Sequence, residues 1–230
     1  MRSSGLSSSR ICQRGVRKAR ARILDQDEIA ALVAACPGDL QALVLASLYT
    51  GCRIGELRAM RRSAFNSEAG SLFVHATKTG RSRNIILSYE AVEFFAGITR
   101  GLDEKQLVFR RIDGLPWTIT GHSARMRKVS ADAGLDPAIV FHELRHTYAS
   151  GLLMAGVSPF VVADQLGHAD CTQVIKTYGH VSAAFAVDQI RRLSPRIAAS
   201  PTGARKTPGK PVAPIDRHAR RTRRAPAHQT

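Results

Sequence analysis

Apolar periodicity confined to a single stretch is the feature that most constrains how this chain can fold. Between Ile23 and Leu193 apolar residues recur at helical or strand spacing. Residues 1–22 are rich in Ser and Arg without such a pattern, and beyond Leu193-Ser194-Pro195 the chain turns to Pro, Ala and Arg. Only the middle stretch carries enough apolar surface to offset the entropy of ordering its backbone. The expected organisation is a basic flexible arm over 1–22, one folded domain over 23–193 and a disordered basic tail over 194–230.

Charge follows the same division. Of the formal net charge of +16, residues 1–22 contribute +7 and residues 196–230 contribute +8, which leaves about +1 for the middle. Such a balance points to a polyanionic partner, nucleic acid above all. The two basic segments read either as solvating chain or as phosphate-gripping arms whose hold weakens steeply with salt. No run approaches the ~18 apolar residues of a membrane span, and the N-terminus has no apolar stretch of the signal-peptide kind. Cys12, Cys36, Cys52 and Cys171 are scattered, with no C-x-x-C pair, so neither a disulfide framework nor a zinc ribbon is written here. The expectation is a cytoplasmic protein with free thiols.

The periodicity itself gives the elements. Asp25 followed by Glu28 has the form of a helix N-cap with its capping box, and Ile29, Leu32 and Val33 form the stripe of a helix that ends at Cys36-Pro37-Gly38. A second helix runs from Leu40 to Thr50 and closes at Gly51; a third covers Ile54 to Met60. The period then changes. Residues 71–75 and 83–87 read as two strands joined by the polar turn Thr77-Lys78-Thr79-Gly80-Arg81. Helical spacing returns at Ser88, Leu107-Val108-Phe109 suggests a short strand, and helices are expected over 119–133, 142–155, 159–166 and 183–193. The fold class is mainly α with one small antiparallel sheet.

Residues 141–147 read Phe-His-Glu-Leu-Arg-His-Thr, which matches H-E-x-x-H. In a zinc protease His142 and His146 would hold the metal and Glu143 would be the base, yet Arg145 sets a fixed cation between the two ligands. The same residues also read as H-x-x-R, with His142 and Arg145 on one helix face. That pair suits a phosphodiester: a guanidinium fork binds two phosphate oxygens, and an imidazole passes a proton near neutral pH. Upstream, Thr50-Gly51-Cys52-Arg53-Ile54-Gly55-Glu56-Leu57-Arg58 sets Arg53 at a helix start with Glu56 one turn on. Downstream lie Gln165-Leu166-Gly167-His168 and Lys176-Thr177-Tyr178-Gly179-His180.

Taken in order, R-x-x-E-L, a hairpin lysine, H-E-L-R-H-T, L-G-H and T-Y-G-H resemble the tyrosine recombinases, or phage-type integrases, over roughly residues 23–193. The resemblance implies a tyrosine recombinase catalytic domain that cuts and rejoins double-stranded DNA without cofactor or metal. Arg53 and Arg145 would clamp the scissile phosphate, and Tyr178 would attack it to give a 3′-phosphotyrosine. Lys78 would protonate the leaving 5′ oxygen, while Arg81 and Arg83 in the same turn could also reach phosphate. His142 would serve as general acid/base for the tyrosine proton and His168 would hydrogen-bond the phosphate. Glu56, Glu143, His146 and His180 would support them, with His146 a structural hydrogen-bonder. Arg58, Arg81 and Arg83 would contact DNA.

The family usually assembles as a homo-oligomer on DNA, a tetrameric synapse. It also usually carries a separate helical N-terminal domain that closes the DNA clamp, whereas a basic arm is expected over residues 1–22 here. Two other readings share the features: a type IB topoisomerase-like strand relaxer, and a DNA-binding remnant of an integrase without activity.

Overall fold

The structure, a computed structural model, describes residues 22–75 and 81–178. Asp25 caps the first helix, α1 (Gln26–Ala35): its carboxylate accepts the Glu28 N–H at 2.8 Å while Glu28 Oε2 accepts the Asp25 N–H at 3.1 Å. Two otherwise unpaired donors are thereby satisfied. Arg22, expected in the arm, is bonded to the fold. It pairs with Glu28 at 2.6 Å and donates to the Pro137 carbonyl.

Helix α2 (Gly38–Thr50) buries Leu40, Leu43, Val44 and Ala46 and packs against α6 (Phe141–Met154). It ends at Gly51 in the left-handed conformation, φ 63°. A Cβ there would sit 2.5 Å from Tyr148 Cδ1 and 2.8 Å from Leu166 Cδ2, so any other residue would be strained and would force those side chains to shift. Helix α3 (Ile54–Ala59) follows at once.

The hairpin read from the sequence gains a third strand. β1 (Phe65–Asn66) pairs with β2 (Ser71–Val74), Phe65 opposite Leu72, and β2 pairs with β3 (Arg83–Ile86), Leu72 opposite Ile85 and Val74 opposite Arg83. The sheet is antiparallel in the order β1-β2-β3. At two residues, β1 is too short to show an alternation of period two. Leu107–Phe109 is not a strand. Leu107 forms an isolated bridge to Arg61, and the Val108 N–H donates to the Met60 carbonyl at 2.9 Å. Helix α4 (Tyr89–Thr99) is capped by Ser88, whose Oγ accepts the Ala91 N–H.

Helices α5 (Gly121–Asp132) and α7 (Pro159–Leu166) fall where the periodicity places them, and residues 172–178 are helical. The helix expected over 183–193 lies outside the described residues, as do residues 1–21 and 194–230. No helix among the described residues is long and apolar enough to cross a membrane.

Two apolar clusters form, and α6 belongs to both. Phe141 and Leu144 join the main core with Leu43, Leu57 and Phe95. Ala149 and Leu153 join a second cluster with Val162, Leu166, Val174 and Tyr178. Burying a side chain of this size stabilises by about 1.5–3 kcal/mol, so Leu144, fully buried, helps fix the rotation of α6 about its axis. The residues between its anchors, His142, Arg145 and His146, are thereby held at the junction of the two clusters.

Candidate active site

The last carbonyls of a helix lack intrahelical partners and carry the negative end of its dipole. Helices α2 and α7 both end in left-handed glycines, Gly51 and Gly167, and Arg145 of α6 collects their carbonyls. Its Nη1 donates to the Gly51 carbonyl at 2.6 Å and its Nη2 to the Leu166 carbonyl at 2.8 Å. Nη2 also lies 3.1 Å from His168 Nε2. An accepting Nε2 places the neutral ring's proton on Nδ1, which is buried without a hydrogen-bond partner among the described residues. Arg145 is 3% exposed, and burial followed by the nearby charge of Arg53 brings its pKa down to about 10. It stays a cation at neutral pH.

Arg53 stands at the start of α3 with its side chain 29% exposed. Glu56, at the third position of the helix, accepts the Arg53 backbone N–H at 2.8 Å and pairs with its guanidinium at 3.2 Å. The brace predicted from R-x-x-E is present, but Glu56 has a closer partner. Arg83 of β3 binds the same carboxylate through Nη1 at 3.0 Å and Nη2 at 2.9 Å, while its Nε donates to the Gln165 carbonyl at 2.8 Å. Burial raises the Glu56 pKa, but the Arg83 hydrogen bonds and charge, with Arg53, bring it below its usual range. Two guanidiniums, Arg53 and Arg83, share this one carboxylate, and the Arg145 charge lies close enough to feel all three, so the group of four carries an excess of two positive charges. Arg53, Glu56, His142 and Arg145 line one cleft of about 320 Å³.

His142 and His146 lie one helical turn apart with ring centroids 4.6 Å apart, edge to face. His142 faces the cleft. His146 faces the segment 172–178, where its Nδ1 lies 2.5 Å from the Tyr178 hydroxyl. Burial, and then the charges of His142 and Arg145, lower the His146 pKa to about 4; burial and the arginines lower that of His168 to about 4. Both rings are thus neutral at pH 7, and the phenol is the donor to His146. Tyr178 is 3% exposed, and burial pushes its pKa up to about 12 against a smaller downward pull from Arg145.

The model of the phage integrase family matches residues 22–184, more than half of the chain. The chain belongs to the phage integrase family. This integrase-family chain is 31% identical over 162 residues to the tyrosine recombinase XerD of Halalkalibacterium halodurans, covering 66% of this chain and 53% of that protein. It is 26% identical over 164 residues to the tyrosine recombinase XerC of Lactobacillus leichmannii, covering 68% and 55%. It thus spans about half the length of these curated relatives. Among solved structures, the XerA recombinase superposes with a TM-score of 0.63 at 22% identity, over 77% of this chain and 67% of that one. The fold is that of the tyrosine recombinase catalytic domains.

Within this integrase-family fold, Arg53, Glu56, His142, Arg145 and His168 are brought together, and Tyr178 joins them through His146. Lys78 and His180 lie outside the described residues. Arg83 corrects the sequence reading: expected at DNA, it is 6% exposed and fills the space beside Gly167, where a Cβ would meet Arg83 Cδ at 2.8 Å. Its role is internal, tying β3 to α3 and to the end of α7. Period-two alternation held the signal, since Arg83 shares a strand face with Ile85 and Leu87, both buried. Arg58 is half-buried and its Nε donates to the Trp117 carbonyl at 2.7 Å, whereas Arg81, two residues before β3, is exposed.

The H-E-x-x-H match has a different outcome from a metalloprotease helix. Glu143 Oε2 accepts the Val140 N–H at 2.9 Å, so this carboxylate closes the helix N-terminus instead of facing the space between the histidines.

Proposed function

We propose that this chain is a site-specific DNA recombinase that cuts and rejoins double-stranded DNA, in the cytoplasm, through a 3′-phosphotyrosine on Tyr178. The observation that carries the reading is the under-neutralised cluster of Arg53, Arg83 and Arg145 around Glu56, with His142, His168 and the His146-bound phenol at its margin.

A phosphodiester is the anion this cluster fits. Arg53, partly exposed, and Arg145, fixed by two carbonyls, take the non-bridging oxygens, and their charge is worth most as negative charge builds at phosphorus. The two carbonyl bonds orient the Arg145 fork before DNA arrives, so no reorganisation is needed at the moment of reaction. His168, oriented by Arg145, hydrogen-bonds the phosphate, and His142 serves proton transfer at the cleft. Lys78 protonates the departing 5′ oxygen. Joining the strand to the tyrosine conserves the bond energy, so a second 5′-hydroxyl reverses the attack without a nucleotide cofactor. Arg58 and Arg81 contribute contacts to the DNA backbone, and four copies assemble on DNA as a tetrameric synapse.

The test is a nicked suicide duplex, in which cleavage releases a short strand and traps the covalent complex. The starting substrate is a pool of such duplexes with randomised centres. A denaturing gel showing a protein–DNA adduct in the wild type and none in Tyr178→Phe supports the reading. No adduct in the wild type at any salt concentration overturns it.

A further inference from the structure

The resemblance carried by the sequence assigns the tyrosine proton to His142 and makes His146 a structural hydrogen-bonder. The geometry points to a different division of labour: we infer that His146 is the catalytic base that receives the Tyr178 proton as the phenol attacks phosphorus. The inference rests on the proposed function, because it requires Tyr178 to be the nucleophile.

Four observations carry it. The phenolic oxygen and His146 Nδ1 are 2.5 Å apart, at the short end of the hydrogen-bond range, and the two rings pack with centroids 5.6 Å apart. His146 is thus in contact with a reacting atom. His142 lies on the preceding turn and lines the cleft with Arg53 and Arg145. Spacing on α6 separates the tasks: residues 142 and 145 turn to the phosphate cleft, and residue 146 turns to the tyrosine segment. Finally, Tyr178 and α6 belong to one apolar cluster with Ala149, Leu153 and Leu166, which holds phenol and imidazole in register.

Protonation states agree. With the low pKa given above, His146 is an unprotonated acceptor at neutral pH, and an accepting Nδ1 fixes its proton on Nε2. Burial, and then the charges of His142 and Arg145, hold the imidazole neutral in the resting protein, and Tyr178 keeps its proton. A phosphodiester entering the cleft supplies the missing negative charge, raises the basicity of His146 and presents the electrophile at the same moment. As the tyrosine O–P bond forms and the P–O5′ bond breaks, the phenolic O–H bond breaks and Nδ1–H forms. The departing 5′ oxygen takes its proton from the ammonium assigned to Lys78. In the rejoining step the 5′-hydroxyl attacks and returns its proton to the amine assigned to Lys78, while the P–O bond to the tyrosine breaks and the released phenolate recovers its proton from His146.

The test compares His146→Asn and His146→Ala with the wild type by single-turnover adduct formation on a suicide duplex selected from the randomised pool. The Asn Oδ1 occupies the place of Nδ1 and accepts the phenol hydrogen bond, but it takes no proton. Loss of a general base lowers such rates by about 10²–10⁴-fold. Both variants are expected to fall by that amount with unchanged DNA affinity, and added imidazole is expected to restore His146→Ala at least ~10-fold. If His146→Asn reacts within about threefold of the wild type, His146 only holds the phenol and the inference is overturned, while the proposed function stands. If the wild type itself forms no adduct, the proposed function fails and this inference fails with it.

Discussion

Replacing Arg83 by methionine separates an internal brace from a DNA contact. Methionine keeps an unbranched stem of similar reach and removes only the fork. What is lost is the pair of bonds to Glu56 at 2.9 and 3.0 Å and the Nε bond to the Gln165 carbonyl. Glu56, whose side chain is 1% exposed, keeps the Arg53 N–H and the longer 3.2 Å pairing. Removing one partner of a buried ion pair costs about 3–5 kcal/mol. That is a large part of the ~5–15 kcal/mol by which a domain of this size is stable. Urea unfolding followed by Trp117 emission reads the loss directly, since Trp117 is the one tryptophan of the chain and is 2% exposed. The expected result is a fall of about 3–5 kcal/mol with an unchanged salt dependence of DNA binding by the folded protein. A change in stability below about 0.5 kcal/mol together with a salt slope reduced by about one would mean that Arg83 grips phosphate, contrary to the structure.

Acid sensitivity follows from the histidines. His146 and His168 titrate in the fold at about 4, below the 6.5 of a free histidine, so between these values the unfolded chain binds protons that the folded chain does not. Their contribution is complete above about pH 6.5 and is lost as pH falls towards 4, with each histidine worth at most about 3 kcal/mol. The urea midpoint is expected to drop through that window and to drop less in His168→Asn. A midpoint flat from pH 6.5 to 4 would contradict it. Gly51→Ala places a Cβ within 2.5 Å of Tyr148 at φ 63° and is expected to cost about 1–3 kcal/mol in thermal unfolding. An alanine variant as stable as the wild type would show that α2 does not end as described.

Much of the site is legible in the sequence, for reasons local to each motif. Arg53 and Glu56 are three apart at a helix start, and His142 and Arg145 share a helix face, so spacing alone brings each pair together. Gly51 and Gly167 are readable as helix ends. The sequence does not show that their carbonyls meet one arginine from a third helix, because that depends on how α2, α6 and α7 pack. The same holds for Tyr178: α6 carries two histidines, His142 and His146, one turn apart, and tertiary packing sets the phenol against His146. Arg83 was readable in part, since strand alternation puts it on the apolar face, but a cation in a turn invites a phosphate reading before a buried carboxylate is known. Strand β1, two residues long, leaves no periodic trace.

The most direct test of the account is to map the covalent link itself. Wild-type protein trapped on the suicide duplex is digested and the DNA-bearing peptide sequenced by mass spectrometry. The chain has four tyrosines, Tyr49, Tyr89, Tyr148 and Tyr178. The account predicts phosphotyrosine on Tyr178 alone, and a link on any of the other three would contradict it.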